Sequence, residues 1–217
     1  WLVDVATGRQ TAIDEATAEE IRDYSFSPDG DWIAYSKSSP NYQSALWVYQ
    51  LSSGRKYQLT DATFSDSNPV FSRDGKFLFF LSNRDFNLAF SSFEFDYLYN
   101  NATRIYALPL RDDGTTLTPY KEDREPYGEE KDDNAEKNGK KSTAKEKDRG
   151  SDSKLSGEIK VKIDTDNARN RIQALPLQPG NYRIIGAVEE GLLYATGNKI
   201  MRYNINEEKA EDILDET

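Results

Sequence analysis

The chain has 217 residues, of which 12% are aromatic, and its 28 Lys or Arg against 38 Asp or Glu give a formal net charge of −10. A net negative charge does not attract the phosphates of a nucleic acid or an anionic membrane surface, so we expect neither as a partner. Because the chain has no His and no Cys, it cannot assemble a Ser-His-Asp triad, a Cys-His pair or an ordinary zinc site alone, and we expect no catalytic residue, metal or cofactor.

The first predicted element is a strand followed by a turn, WLVDVATGR at residues 1–9, which returns as WVYQLSSGR at residues 47–55. A short outer strand follows each copy, QTAI after the first and KYQLT after the second. The copy at 1–9 aligns with the third strand of a repeat, so that the first two strands of its own repeat are missing. Since a propeller must close on itself and exposed strand edges invite aggregation, we expect the chain to be an excerpt of a longer polypeptide.

The next element is a hairpin, YSFSPDGDWIAYS, which is repeated further along the chain as PVFSRDGKFLFFLS. Each hairpin has an Asp-Gly turn: Asp29-Gly30 and Asp74-Gly75. Asp-Gly predicts a tight turn between antiparallel strands, because Gly accepts a positive φ at no steric cost. We interpret all four residues as turn-makers rather than ligands. The strands after the turns are apolar on both faces, which predicts that both faces are covered.

Two more copies of the third strand follow, TRIYALPLRDDG at 103–114 and a weaker one, NKIMRYNINEEK, at 198–209. Without a charged stretch at 121–157, the chain divides into four units of about 45 residues, a period typical of propeller blades. We therefore predict an all-β fold, a partial β-propeller of about three and a half to four blades, each of four antiparallel strands, excerpted from a larger ring. The predicted blades lie near 1–13, 22–60, 68–164 and 182–213.

Two inserts interrupt the repeats. Residues 121–157 contain 10 basic and 11 acidic residues, and their only sizeable hydrophobic side chains are Tyr127 and Leu155. Such a segment buries too little apolar area to offset its ordering entropy. We predict a mobile surface loop between the third and fourth strands of one blade, and its mixed charge is more typical of a solvated loop than of a binding site.

The second insert, NRDFNLAFSSFEFDYLYNNAT at 83–103, is rich in Phe and Tyr. Such a loop either packs on a neighbouring domain or lines a ligand surface, and we favour domain packing. At its start, Arg84 and Asp85 are the polar pair that we nominate for a channel wall or a loop anchor. A local ion pair is the simpler interpretation of these two residues.

The blocks FSPDGDWIAYSKSSPNYQSALWVYQLSSGRKYQLT, NPVFSRDGKFLFFLSNRDFN, FEFDYLYNNATRIYALPLR and VKIDTDNARNRIQALPLQPGNY, in this order, resemble the second, seven-bladed β-propeller of tricorn-type serine peptidases. The resemblance covers nearly all of the chain outside 121–157. The hairpin motif is shared with propellers of the TolB and prolyl oligopeptidase types, whereas the order of SNRDFN, NATRIYAL and ALPLQPGNY is much more specific.

This resemblance implies a large multidomain peptidase in which two propellers precede a PDZ-like module and a catalytic region with a Ser nucleophile and a His base. The propellers are expected to filter peptides or unfolded polypeptide, to channel them to the downstream site, and to scaffold neighbouring domains of the same chain. None of the family's catalytic residues maps onto this chain. A homo-oligomer is compatible with the resemblance.

Two alternatives stay open. A TolB-like propeller would be a protein-binding module without catalysis, and a prolyl oligopeptidase type of propeller would cap an α/β-hydrolase. For the compartment, we expect the cytoplasm, or the periplasm if a signal peptide precedes the chain.

Overall fold

A computed structural model describes residues 1–16, 18–85, 88–91, 96–99, 102–117 and 159–215. The charged insert predicted at 121–157 lies outside the described residues. Within them the chain forms sixteen strands and one short 3₁₀ helix, at Ala168–Arg171. Among the same residues, no helix is long and apolar enough to cross a bilayer.

The strands, in chain order, are β1 (Leu2–Val3), β2 (Gln10–Thr11), β3 (Tyr24–Phe26), β4 (Trp32–Ser38), β5 (Ser44–Gln50), β6 (Arg55–Gln58), β7 (Asp66–Phe71), β8 (Phe77–Ser82), β9 (Leu88–Ser91), β10 (Asp96–Tyr99), β11 (Arg104–Pro109), β12 (Gln173–Ala174), β13 (Tyr182–Val188), β14 (Gly191–Thr196), β15 (Lys199–Asn204) and β16 (Lys209–Asp215).

Three sheets have four strands each, in the orders β3-β4-β5-β6, β7-β8-β11-β12 and β13-β14-β15-β16, and all their pairings are antiparallel. We call them the second, third and fourth blades. Strands β1 and β2 pair on their own before the second blade, and β9 pairs with β10 in a hairpin inserted between β8 and β11. Sequential antiparallel strands with short turns are the connectivity of propeller blades.

The third blade ends beyond residue 164, where the repeat pattern placed its end. Its outermost strand is β12, in which Ala174 pairs with Tyr106. Residues 159–163 have the alternating sequence pattern of a strand but do not join the sheet of the third blade. Instead, Val161 is buried in the apolar layer between the second and third blades. This segment, which we call the strap, therefore serves the interface between two blades instead of the edge of one.

Strand β8 shows how the core is built. Leu78 and Phe80 point into an apolar layer shared with the second blade, which includes Trp32 and Val48. The alternate residues of β8 point into a second layer, shared with the fourth blade: Phe77 and Phe79 pack with Ile184, Leu192, Tyr194 and Tyr203. Burying one side chain of this size contributes about 1.5–3 kcal/mol to the free energy of folding, relative to leaving it exposed. The burial predicted for both faces of the strand after the Asp-Gly turn is confirmed.

The first strands of the three blades stand side by side. Strand β7 packs against β3, β4 and β5 of the second blade, and β13 packs against β7 and β8. Sheets that share apolar layers face to face, with their first strands adjacent, have the arrangement of propeller blades around an axis. The predicted partial β-propeller is confirmed.

Candidate functional site: the first strands and their turns

The turn after β3 is fixed by Asp29, whose Oδ1 accepts hydrogen bonds from the Ser27 hydroxyl at 2.5 Å and from the Asp31 amide at 3.2 Å. The Ser27 Oγ in turn accepts a bond from the Trp32 amide at 2.9 Å, where β4 begins. Gly30 has a φ of 73°, which an L side chain rarely adopts. The structure therefore places Asp29 and Gly30 in the turn between β3 and β4.

The turn after β7 repeats this arrangement. Asp74 Oδ1 accepts bonds from the Ser72 hydroxyl at 2.6 Å and from the Lys76 amide at 3.1 Å, and the Phe77 amide donates to Ser72 Oγ at 2.9 Å. Gly75 has a φ of 69°. The Ser two positions before each Asp was visible in the repeat, but the sequence analysis gave it no role.

The two turns differ in how they meet the strap. Asp29 Oδ2 accepts a hydrogen bond from the Val161 amide at 2.7 Å. At Gly75, an added Cβ would lie 2.7 Å from Val161 Cγ2 and 3.3 Å from Ile159 Cγ2, whereas at Gly30 it would meet nothing within 4 Å. The strap therefore crosses both turns. It is bonded to the carboxylate of Asp29 in the first turn and packs closely on Gly75 in the second, where there is no side chain to block it.

Asn68 joins the first strands of all three blades. It lies at a bulge in β7 with a φ of 52°. The backbone amide of Asn68 donates to Oδ2 of Asp23, which lies just before β3. Its side-chain Oδ1 accepts a bond from the backbone amide of Ile184 in β13 at 2.9 Å. The sequence analysis did not single out Asn68, although Asp23 and Asn68 are 45 residues apart, at equivalent positions of the repeat.

Arg84 is paired, but not with Asp85. Its Nη2 donates to both carboxylate oxygens of Asp66 at 2.8 Å, and its Nε donates to Ser82 Oγ at 2.8 Å. Asp66 is fully buried. The guanidinium carbon lies 5.1–5.5 Å from the centres of three rings: Phe64, Phe80 and Tyr106. This ion pair, with the guanidinium against aromatic rings, anchors the end of β8 to the start of β7.

Asp85 belongs to a neighbouring network. It accepts a hydrogen bond from the Tyr106 hydroxyl at 3.0 Å and forms an ion pair with Arg104 Nε at 3.2 Å. Burial, together with the hydrogen bond to Asp85, raises the pKa of Tyr106 to about 12. Both nominated residues therefore sit in side-chain networks at the end of the blade opposite its Asp-Gly turn.

Asp14, which no sequence pattern marked, is a second buried carboxylate besides Asp66, with its side chain 2% exposed. It accepts hydrogen bonds from Lys37 at 3.0 Å, Lys56 at 2.6 Å and the Tyr35 hydroxyl at 2.7 Å. Burial alone would raise the pKa of Asp14, but these three bonds outweigh it and hold that pKa far below its usual range. Asp14 thus ties the segment before β3 to β4 and β6.

A cation contacts the carboxylate in each of these networks: Asp14, Asp66 and Asp85 are all paired with Lys or Arg. Within the described ranges, no group of three or more acidic side chains is placed to hold a metal ion.

Blades stacked through shared apolar layers, with their first strands tied together, define this chain as a segment of a β-propeller. The chain belongs to the family described as the tricorn protease second beta propeller domain, whose model matches residues 1–215. The resemblance found in the sequence is confirmed.

Relatives of the chain support this assignment. It is 34% identical over 116 residues to the tricorn protease of Thermoplasma volcanium, covering 51% of this chain and 11% of that protein. It is 25% identical over 195 residues to the tricorn protease homolog 1 of Streptomyces coelicolor, covering 89% of this chain and 16% of that protein. The chain therefore spans less than a fifth of the length of these relatives.

A solved structure has the same fold. The crystal structure of the tricorn protease superposes on this chain with a TM-score of 0.68 at 18% sequence identity. The superposition covers 97% of this chain and 20% of the chain in that crystal structure. At this identity the likeness concerns the fold alone.

Proposed function

We propose that this chain forms part of the wall of a propeller channel, which passes extended peptides to a peptidase site elsewhere in the parent protein. In this proposal the chain contributes no catalytic residue. The observation that carries it is the bridge at Asn68, which ties three successive first strands together through Asp23 and Ile184. In a propeller, the first strands surround the central channel.

A filter must keep its bore constant. The bridge at Asn68 fixes the spacing of the first strands, and the strap holds the turns of two of them, because Val161 bonds to Asp29 and packs on Gly75. Such a wall excludes folded domains by size, while an extended chain, which is only about 10 Å across with its side chains, passes. Selection by size rather than by sequence suits a protein that degrades unfolded polypeptide.

The proposed non-catalytic role is supported by the chemistry of the chain. With no His and no Cys, the chain has no thiol nucleophile and lacks the usual base that activates a Ser hydroxyl. The buried carboxylates are engaged by Arg or Lys, so that a proton transfer would first have to break an ion pair. The chemistry of the parent therefore needs residues from outside this chain.

The test compares two proteins on one substrate. Unstructured fluorogenic peptides of about six residues are offered to the full-length parent and to the 217-residue chain. The proposal predicts hydrolysis by the parent, loss of this hydrolysis with a serine-directed inhibitor, and no hydrolysis by the chain. Hydrolysis by the chain alone, insensitive to that inhibitor, would disprove the non-catalytic role.

A further inference from the structure

A cavity of about 380 Å³ lies between the second blade and the residues of the strap. Its volume is in the range that holds a small ligand or the end of a peptide. Residues of the second blade and of the strap line it: Asp31, Trp32, Gln50, Tyr57, Lys160 and Lys162. The cavity lies beside the Asp29 turn and its contact with Val161, and no pattern in the sequence indicated it.

Trp32 lines this cavity and has an unpaired donor. The side chain is 5% exposed, and its Nε1 is buried without a hydrogen-bond partner in the structure. Buried donors in proteins are nearly always paired, so an orphan of this kind calls for an acceptor. The core around Trp32 is apolar and includes Leu46, Val48 and Phe71. Trp32 also lines the cavity, so a ligand held there can supply the acceptor.

The charge of the cavity is set by the strap. Lys160 and Lys162 are both exposed, and neither forms an ion pair with a described residue. The Asp31 carboxylate lines the same cavity and interacts electrostatically with Lys160, while its oxygens accept bonds from Gln50 Nε2 at 2.8 Å and from the Ser52 amide and hydroxyl at 2.9 Å. Two ammonium groups against one carboxylate give the lining a net positive charge. In a chain with a net charge of −10, this is a local cationic surface, in a cavity that is also lined by the side chain with the unpaired N–H.

We infer that this cavity binds a carboxylate carried by an extended peptide. One carboxylate oxygen would accept from Trp32 Nε1 after a small shift of the neighbouring side chains, and the other would face the ammonium groups of Lys160 and Lys162. The inference rests on the proposed function for the nature of the ligand, since the parent would handle peptides. It adds a site outside the channel wall at which acidic peptides are held.

The shape of the cavity favours a peptide over a small inorganic anion. Apolar surface from Trp32 and Tyr57, whose ring centres are 6.2 Å apart, continues onto Val161 and Ile163 of the strap. A phosphate ion would leave this apolar surface unused, whereas the carbon atoms of a peptide would cover it. The carboxylate could come from an acidic side chain or from the C-terminus of the peptide, and the experiment separates these sources.

The experiment measures the binding of dye-labelled hexapeptides to the full-length parent by fluorescence polarisation, with its peptidase activity blocked by a serine-directed inhibitor. One pair of C-amidated peptides differs only by a central Glu or Gln. A second pair, with Gln at the centre, has a free or an amidated C-terminus. Inorganic phosphate is added as a competitor. The proteins are the unmodified parent, K160Q/K162Q, W32F, and the control K209Q, which changes an exposed Lys on β16 away from the cavity.

At least one carboxylate peptide should bind at least about tenfold more tightly than its uncharged partner, and K160Q/K162Q should abolish this preference, because charge-assisted hydrogen bonds are the strong ones. W32F, which keeps a buried ring without the N–H, should weaken the preferred peptide several-fold, and K209Q should leave it unchanged. The pair that shows the preference identifies the source of the carboxylate.

Three results would overturn the inference. They are equal binding of charged and uncharged peptides, an unchanged preference in K160Q/K162Q, or displacement of the labelled carboxylate peptide by phosphate at the same concentration as by the unlabelled peptide. Since Lys160 and Lys162 are exposed, their replacement leaves the fold intact. None of these results bears on hydrolysis by the full-length parent, so a failure of this inference is distinguishable from a failure of the proposed function.

Discussion

The side-chain oxygen of Asn68 accepts a hydrogen bond from the backbone amide of Ile184 at 2.9 Å, joining the first strands of two blades across 116 residues of sequence. The amide of the same residue donates to Asp23 in the preceding blade. Within a blade, strands are joined by regular backbone pairing. Between blades, the first strands are joined here by two hydrogen bonds of one residue, Asn68, at a bulge. The wall of the proposed channel depends on such contacts.

Asn68→Gly tests this bridge. Gly keeps the positive φ of 52° but removes the acceptor for Ile184. We expect a loss of about 1–2 kcal/mol in the free energy of unfolding, because a part-buried amide is left unpaired. The matched control is Asn167→Gly, since Asn167 has a φ of 53° and no side-chain capping bond. Equal effects of the two substitutions in chemical denaturation would refute a stabilising bridge.

A pair of glycines tests the contact between the strap and the turns. Gly30→Ala and Gly75→Ala both place a side chain at a φ near 70°, which costs about 1–2 kcal/mol at either position. Only Gly75→Ala also meets Val161, at 2.7 Å. We therefore expect Gly75→Ala to destabilise the chain by about 1–3 kcal/mol more than Gly30→Ala. Thermal or urea unfolding of both variants measures the difference, and its absence would mean that the strap does not pack on the turn.

The buried ion pair at the end of β8 is tested by Arg84→Lys. Lys lacks the second donor with which Arg84 reaches Ser82 while it holds Asp66, and it does not stack on rings as a planar guanidinium does. We expect a loss of about 2–4 kcal/mol, because Asp66 would stay buried with an incomplete partner. Arg169→Lys is the control: its pair with Asp61 is exposed, and its loss should be below about 0.5 kcal/mol. Similar losses for the two variants would contradict the anchoring role of Arg84.

The acid stability of the chain should depend on Asp14. Its pKa is lowered in the folded state, so the stability it provides is complete above the unfolded pKa of about 4 and falls as the pH drops below it. Asn at this position cannot titrate. In unfolding measurements from pH 6 to pH 2, Asp14→Asn should therefore be less stable at pH 6 and show a shallower decline below pH 4. Parallel curves would exclude Asp14 as the source of this pH dependence.

Repetition made most of the fold predictable. Phe26 and Phe71, with the Asp-Gly pairs that follow them, marked the hairpins, and the apolar run after Asp74-Gly75 correctly indicated burial on both faces. The strap was not predictable, because its alternating pattern is that of an ordinary strand. Only the packing of Val161 between two blades shows why it leaves the sheet.

The candidate site was predictable in part. Arg84 and Asp85 were selected for their place after a strand, but their partners, Asp66 and Arg104, lie about 20 residues away, at distances that no local pattern encodes. Asn68 is equivalent to Asp23 in the repeat, and each side chain accepts a bond from a backbone amide in the first strand of the next blade, which only the folded chain reveals. The cavity at Trp32 lies between four residues of the second blade and the strap, which only the folded chain brings together.

The most direct test of the channel compares one cleavable segment in two settings. The segment is offered to the full-length parent as a free unstructured peptide and as an exposed loop of a stably folded protein. A channel wall predicts that the parent cleaves the free peptide and spares the folded protein, and that unfolding the substrate protein restores cleavage. Cleavage of the folded substrate at a rate similar to that of the free peptide would contradict the account.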